Sequence, residues 1–172
     1  MSSGSRRQKI VEVLKDRGEP VTGSDLAASL GVSRQVIVQD IALLRARGEK
    51  ILSTPRGYLL AGKVIPGLAT RVIACKHTRE QLADELHTIV AHGGRIIDVI
   101  VEHPLYGELR GMLMIESHKD VEEFDRALTE SAAKPLSALT EGMHLHTVQA
   151  ASEAALDGVE AALEAKGYLL SE

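Results

Sequence analysis

Hydrophobic positions change their period partway along this chain. In the first sixty residues they recur at helical spacing: Ile10, Val11, Val13 and Leu14 in one segment, then Leu26, Ala27 and Leu30, then Val36, Ile37, Ile41 and Leu44. Apolar residues three or four apart share one face of a helix, so three short amphipathic helices are expected. Gly18 and Gly48 are placed to end the first and third, Ser24 and Ser33 to cap the second and third, and Gly31-Val32 to turn the chain between them. Residues 51–53 and 57–60 then read as two brief strands around Thr54-Pro55-Arg56.

Beyond a stretch at 63–69 that contains Pro66 and Gly67, strand-like and helical segments alternate. Strands are expected at 71–76, 95–102, 108–116 and 143–148. Thr78, with Gln81 three residues on, opens a helix through Leu82, Leu86, Ile89 and Val90 to Gly93-Gly94, in a capping-box pattern. Further helices are expected at 120–130, with His118 placed to help cap it, and at 152–166. A short helix, a turn and a second helix followed by a hairpin is a winged helix-turn-helix. The order βαββαβ with a terminal helix is the ferredoxin-like arrangement. The expected class is therefore α+β: a winged helix-turn-helix over 1–62, a linker at 63–69, and a ferredoxin-like βαββαβ(α) effector domain over 70–172.

Charge sharpens this division. Residues 1–62 carry 10 Lys/Arg against 6 Asp/Glu, or +4, and residues 63–172 carry 10 against 18, or −8. Only the front has the balance to meet a polyanion. Three Tyr, one Phe and no Trp are too few for a single-strand stacking surface, so with the winged helix-turn-helix the expected partner is double-stranded DNA. One cysteine excludes an internal disulfide and fits a reducing cytoplasm. No apolar run approaches the length of a membrane span.

If the third helix enters the major groove, residues at its start reach the DNA first. Arg34 and Gln35 lie there and Gln39 one turn on, with Arg suited to guanine and Gln to adenine. Arg45, Arg47 and the wing residue Arg56 suit phosphates. The expected DNA-facing set includes Ser33, Arg34, Gln35, Gln39, Arg45 and Arg56. The bland alternative is a three-helix domain for protein contacts.

In the back half the chemistry gathers at Gly142-Met143-His144-Leu145-His146-Thr147. Alternate residues of a strand share a face, so His144 and His146 present two imidazoles together, as metal ligands or as surface histidines. In the expected topology the fourth strand runs antiparallel beside the first, which brings His77 to the same corner. Glu85 lies three after Leu82 and four before Ile89, on or beside the inward face of its helix. Buried there, it needs a cation; at the helix edge it is merely solvated. The set His77, Glu85, His144 and His146 suits zinc, nickel, iron or manganese. His87 and His92 fall off the buried stripe. His103-Pro104-Leu105-Tyr106-Gly107 is either a rigid turn or a ligand contact, and this topology puts it at the opposite end of the sheet from the metal corner.

The residues that carry a wider likeness are His77-Thr78, Gly93-Gly94-Arg95-Ile96-Ile97-Asp98-Val99, Val101-Glu102-His103-Pro104-Leu105-Tyr106-Gly107-Glu108, and Lys134-Pro135-Leu136-Ser137-Ala138-Leu139-Thr140 running into the His144 motif. With Gly31-Val32-Ser33-Arg34-Gln35-Val36-Ile37 in front, the chain resembles the niacin-responsive repressors of NAD biosynthesis. These join a winged helix to a three-histidine domain. The resemblance implies a homodimeric repressor with nicotinic acid as corepressor. It also implies a divalent metal, nickel or a zinc-like ion, at the positions of His77, Glu85, His144 and His146. On that footing nicotinic acid is expected to contact His103, Tyr106, Gly107, Leu136, Ser137 and Thr140.

Two other functions compete with this one. An open metal site can activate water, as in a hydrolase, but no second acid or base is clearly placed beside it, and a DNA-binding front argues against an enzyme. The other is a regulator in which the metal itself is the signal.

Overall fold

The computed structural model describes residues 2–61 and 67–170. The chain divides into two compact units, Met1–Val64 and Ile65–Glu172. Of the linker expected at 63–69, residues 63–66 lie outside the described residues, and Ala69 already begins a strand.

The front unit holds α1 (Ser3–Arg17), α2 (Gly23–Leu30) and α3 (Arg34–Ala46), then β1 (Ile51–Thr54) and β2 (Gly57–Leu60). Ile10, Leu14, Leu26, Ile37 and Ile41 form its centre, each contributing about 1.5–3 kcal/mol by leaving water. Ser33 caps α3 as expected, accepting from the Val36 amide. The cap of α2 is Thr22 and not Ser24: Thr22 has the extended backbone a cap needs, and its hydroxyl accepts from the Asp25 amide at 3.0 Å. On α3 the buried polar residue is Asp40, paired with Arg6 at 2.5 Å and Arg7 at 3.3 Å, which ties α1 to α3. Val36, expected inside, is only half-buried.

β1 and β2 form the wing, with Thr54 opposite Gly57. Tyr58 exchanges two backbone hydrogen bonds with Val21, adding a third short strand segment to the hairpin. Gly57 has φ +130, and a Cβ there would run into the Val21 backbone, so this close approach requires glycine.

The back unit runs β3 (Ala69–Lys76), a 3-10 turn (Arg79–Gln81), α4 (Leu82–Ala91), β4 (Arg95–His103), β5 (Gly107–Ile115), α5 (His118–Glu130), a second 3-10 turn (Leu136–Thr140), β6 (Met143–Ala150) and α6 (Glu153–Ala165). The expected βαββαβα order is present, and so is the Thr78–Gln81 capping box. Ser117 caps α5, and His118 is its first residue and not a cap.

The strand order departs from a ferredoxin-like sheet. That sheet seats the first strand centrally beside the third, whereas here the order is β3-β6-β4-β5 and every neighbouring pair is antiparallel. β6 still lies beside β3, with Cys75 opposite His144 and Ile73 opposite His146. Its other side pairs with β4, Ile100 facing Leu145. The end of β4 therefore lies beside the start of β6. This places the His103 turn at the same end of the sheet as His144, contrary to the expectation of opposite ends.

One sheet face packs on the helices. Ile73, Cys75, Ile96, Leu113 and Val148 meet Leu86, Ile89, Val121, Leu156 and Leu163. The final residues cover part of the free edge of β3, where Lys76 donates to Tyr168 and Leu170 to Ala74.

Candidate metal centre

Three elements converge at the β3–β6 end of the sheet. His77 follows β3, His144 and His146 occupy alternate positions of β6, and Glu85 sits in the first turn of α4. All four are buried, Glu85 to 1% exposure. The Glu85 side chain lies on the inward face because Leu82, Leu86 and Ile89 face the core around it.

Each imidazole is oriented by a backbone carbonyl. His77 Nδ1 donates to Thr78 at 2.7 Å, His144 Nδ1 to Gly142 at 2.8 Å and His146 Nδ1 to Asp98 at 2.7 Å. Carbonyl oxygens only accept, so all three rings carry their proton on Nδ1. Nε2 is then the free ligating nitrogen of each neutral ring, and all three are aimed at one carboxylate. His77 Nε2 is 2.5 Å from Glu85 Oε2, with His144 and His146 Nε2 3.0 and 3.3 Å from Oε1.

Such a cluster places lone pairs against lone pairs, which buried polar groups avoid unless a cation or a proton intervenes. His146 Nε2, though 3.3 Å from Glu85 Oε1, makes no well-aligned hydrogen bond among the described residues. The electrostatics agree. Burial pushes the Glu85 carboxyl up, but the three imidazoles more than reverse this and hold it well below the ordinary range. Burial lowers His77 and His146, yet Glu85 outweighs it and raises both. Bonds of about 2.0–2.2 Å from one ion to nitrogen and oxygen donors put adjacent donors about 3 Å apart, the spacing seen. The residues present thus fit a divalent transition metal.

Two participants were missed in the sequence. Cys75 lies across from His144, and its sulfur falls within 4.8 Å of donor atoms of Glu85 and His144. Burial and Glu85 push its thiol well up, so it lines the centre as a neutral group. Its signal was its position two before His77, on the same strand face. Asp98 is wholly buried; its carboxylate accepts from the Thr147 amide, the Thr147 hydroxyl and Arg110, while its own carbonyl orients His146. A lone acid inside Ile96-Ile97-Asp98-Val99-Ile100 was the available clue.

The expected effector residues fall into two groups. Ser137 is buried in the second 3-10 turn, and its carbonyl accepts from the Gly142 amide at 2.8 Å. Leu136 of that turn packs against β5 at Gly111, and the Thr140 hydroxyl donates to the Met143 carbonyl. Gly142 has φ +91, and a Cβ there would collide with the His77 carbonyl. In the other group, His103 Nδ1 accepts from the Leu105 and Tyr106 amides at 3.1 and 3.2 Å, so it holds the turn that ends at Gly107. Tyr106 is exposed, its ring centroid 5.0 Å from that of His103. His87, off the buried stripe, meets His118 with their Nδ1 atoms 2.7 Å apart.

On the front unit, Arg34, Gln35 and Gln39 are exposed on one side of α3. Ser33 is engaged in capping. Arg45 is drawn to the wing, donating to the Ile51 carbonyl at 2.8 Å and the Ser53 hydroxyl at 2.7 Å. Arg56 lies at the hairpin tip, its amide bonded to the Thr54 hydroxyl.

A winged helix-turn-helix joined to a unit that gathers three buried histidines has the make-up of a DNA-binding regulator. Comparison with known proteins agrees. Residues 70–172 match the 3H domain and residues 6–59 an HTH domain. The chain is 46% identical over 167 residues to the probable transcription repressor NiaR of Thermotoga maritima, spanning 97% of this chain and 94% of that one. It is 39% identical over 174 residues to the transcription repressor NadR of Bacillus subtilis, spanning 100% and 97%. The chain belongs to this 3H-domain family of helix-turn-helix transcription repressors. It is a DNA-binding regulator and not an enzyme. No helix of the described residues is long and apolar enough to cross a membrane.

Proposed function

We propose that the protein represses genes of NAD biosynthesis or niacin uptake, with nicotinic acid as corepressor and a divalent metal, nickel or a zinc-like ion, in its regulatory unit. The observation that carries the metal is the convergence of three Nε2 atoms on a buried carboxylate. Nicotinic acid rests on the resemblance of the sequence motifs to the niacin-responsive repressors. The metal supplies the positive charge that binds His77, His144, His146 and Glu85 into one unit. The three carbonyls hold the rings in register for it, as outer partners of metal ligands do.

The protein acts as a homodimer whose two α3 helices reach half-sites one DNA turn apart. Arg34, Gln35 and Gln39 read base edges; Arg45 ties α3 to the wing, and Arg56 makes the backbone contact. Corepressor binding orders the 136–143 and 103–107 segments, which lie at one end of the sheet, and so favours the DNA-binding form.

A mobility-shift titration with operator DNA tests this in four combinations, with and without metal and with and without nicotinic acid. Tightening only when nicotinic acid is added supports the corepressor. Full affinity with metal alone supports the second reading, favoured by the deep burial of the ligands, that metal itself is the signal. Elution at twice the chain mass is expected on sizing; a monomer would overturn the dimer.

A further inference from the structure

A cleft of about 540 Å³ opens beside His77, between the end of β3 and the segment leading into the second 3-10 turn. Small-molecule sites span about 300–1,000 Å³. Its walls include Ala133, Pro135, Ala138 and Gly142, small surfaces that leave room for a flat apolar body. Its charged lining is Lys76, Arg79 and Lys134 against the single acid Glu141. Residues 63–172 carry 10 basic against 18 acidic side chains, so a cleft with three cations and one anion runs against the charge of its own unit.

Of the three cations, Arg79 is already engaged, paired with Asp125 at 3.0 Å and bonded to Thr129. Lys76 and Lys134 are exposed and have no ion pair among the described residues. Two uncommitted ammonium groups at the mouth of a small apolar slot suit a compact ligand with an apolar body and one carboxylate.

The cleft also reaches the metal centre. Gly142 lines it, and the Gly142 carbonyl accepts both the His77 amide, at 3.4 Å, and His144 Nδ1, at 2.8 Å. A ligand resting on Gly142 therefore touches the peptide that orients the His144 imidazole and holds the His77 backbone.

We propose that this cleft is the carboxylate-recognition site of the regulatory unit, with Lys76 and Lys134 gripping a small aromatic or aliphatic acid. The proposal rests on the nicotinic-acid reading above and names residues for it. His103 and Tyr106 are not needed for recognition.

Calorimetric titration of the full chain, metal-loaded, tests it with nicotinic acid and nicotinamide as probes. Removing a charge-assisted hydrogen bond weakens binding by about tenfold or more. Nicotinamide is expected to bind weaker than nicotinic acid by that factor, and the double variant K76Q/K134Q to lose the same factor for the acid with metal content unchanged. Equal binding of acid and amide, or unchanged acid binding by the double variant, overturns the cleft while the corepressor reading stands. No binding of nicotinic acid by the unaltered protein overturns that reading and the cleft with it. If the double variant loses metal, K134Q alone, away from the ligands in sequence, decides: weaker acid binding supports the cleft, and equal binding sinks it.

Discussion

The backbone carbonyl of Asp98 receives the Nδ1 proton of His146 at 2.7 Å, while the Asp98 carboxylate is clamped by Thr147 and Arg110. One residue thus fixes the tautomer of a ligand with its main chain and braces that main chain with its side chain. Asp98→Ala should lower stability by about 1–3 kcal/mol, since it leaves the half-buried Thr147 donors without their carboxylate. It should also weaken metal binding by about 10–100-fold, as loss of an outer partner does. Chemical denaturation and a competitive metal titration measure the two effects.

Glu85→Gln removes the one carboxylate that, among the described residues, pairs with the three Nε2 atoms, and turns an amide toward them. Metal affinity should fall by at least about 100-fold, read as metal per chain after dialysis. The secondary structure should persist in circular dichroism, because the Leu82, Leu86 and Ile89 stripe of α4 is untouched.

The site's pH dependence has two signs. Without metal, His77 and His146 are raised by Glu85, so their contribution to stability is present below the ordinary histidine value of about 6.5 and fades as pH rises through the raised value. Glu85 is lowered, so its contribution is present above its ordinary value and is lost as pH falls through the lowered one. With metal the histidines must shed protons, and affinity climbs with pH. The melting-temperature gain from added metal should therefore be larger at pH 8 than at pH 6. Equal gains would contradict proton–metal competition.

Arg45 separates two roles. Its bonds to Ile51 and Ser53 make it a tie between α3 and the wing. Arg45→Ala should lower the melting temperature of the front unit and leave the salt dependence of operator binding nearly unchanged. A shallower salt dependence at unchanged stability would assign it to a phosphate instead. Arg34→Ala should reduce operator affinity by about 1–3 kcal/mol and relax preference at one base pair.

Much of the metal corner was legible in the sequence, because it depends on periods. Strand alternation puts His144 and His146 on one face, and helical phase puts Glu85 inward. Neighbour relations carry no such signature. Alternation tells which face a residue takes but not which strand lies beside it, so the β3-β6-β4-β5 order and the position of the His103 turn emerged only in three dimensions. The Leu136–Thr140 turn was equally hidden, since five residues are too few to show a period. Thr22 displaced Ser24 as a cap because both are competent and only backbone conformation chooses between them.

The Asp40 pairs on α3 bear on how the front unit meets DNA. The side chains of Arg6 and Arg7 are largely covered and turned to a carboxylate that is itself 2% exposed. Two of the ten basic residues counted at the front are thus committed internally. Fewer phosphates are neutralised on docking than composition implies, and fewer counterions leave the DNA. Operator binding should accordingly tolerate rising ionic strength better than a repressor with all ten cations free.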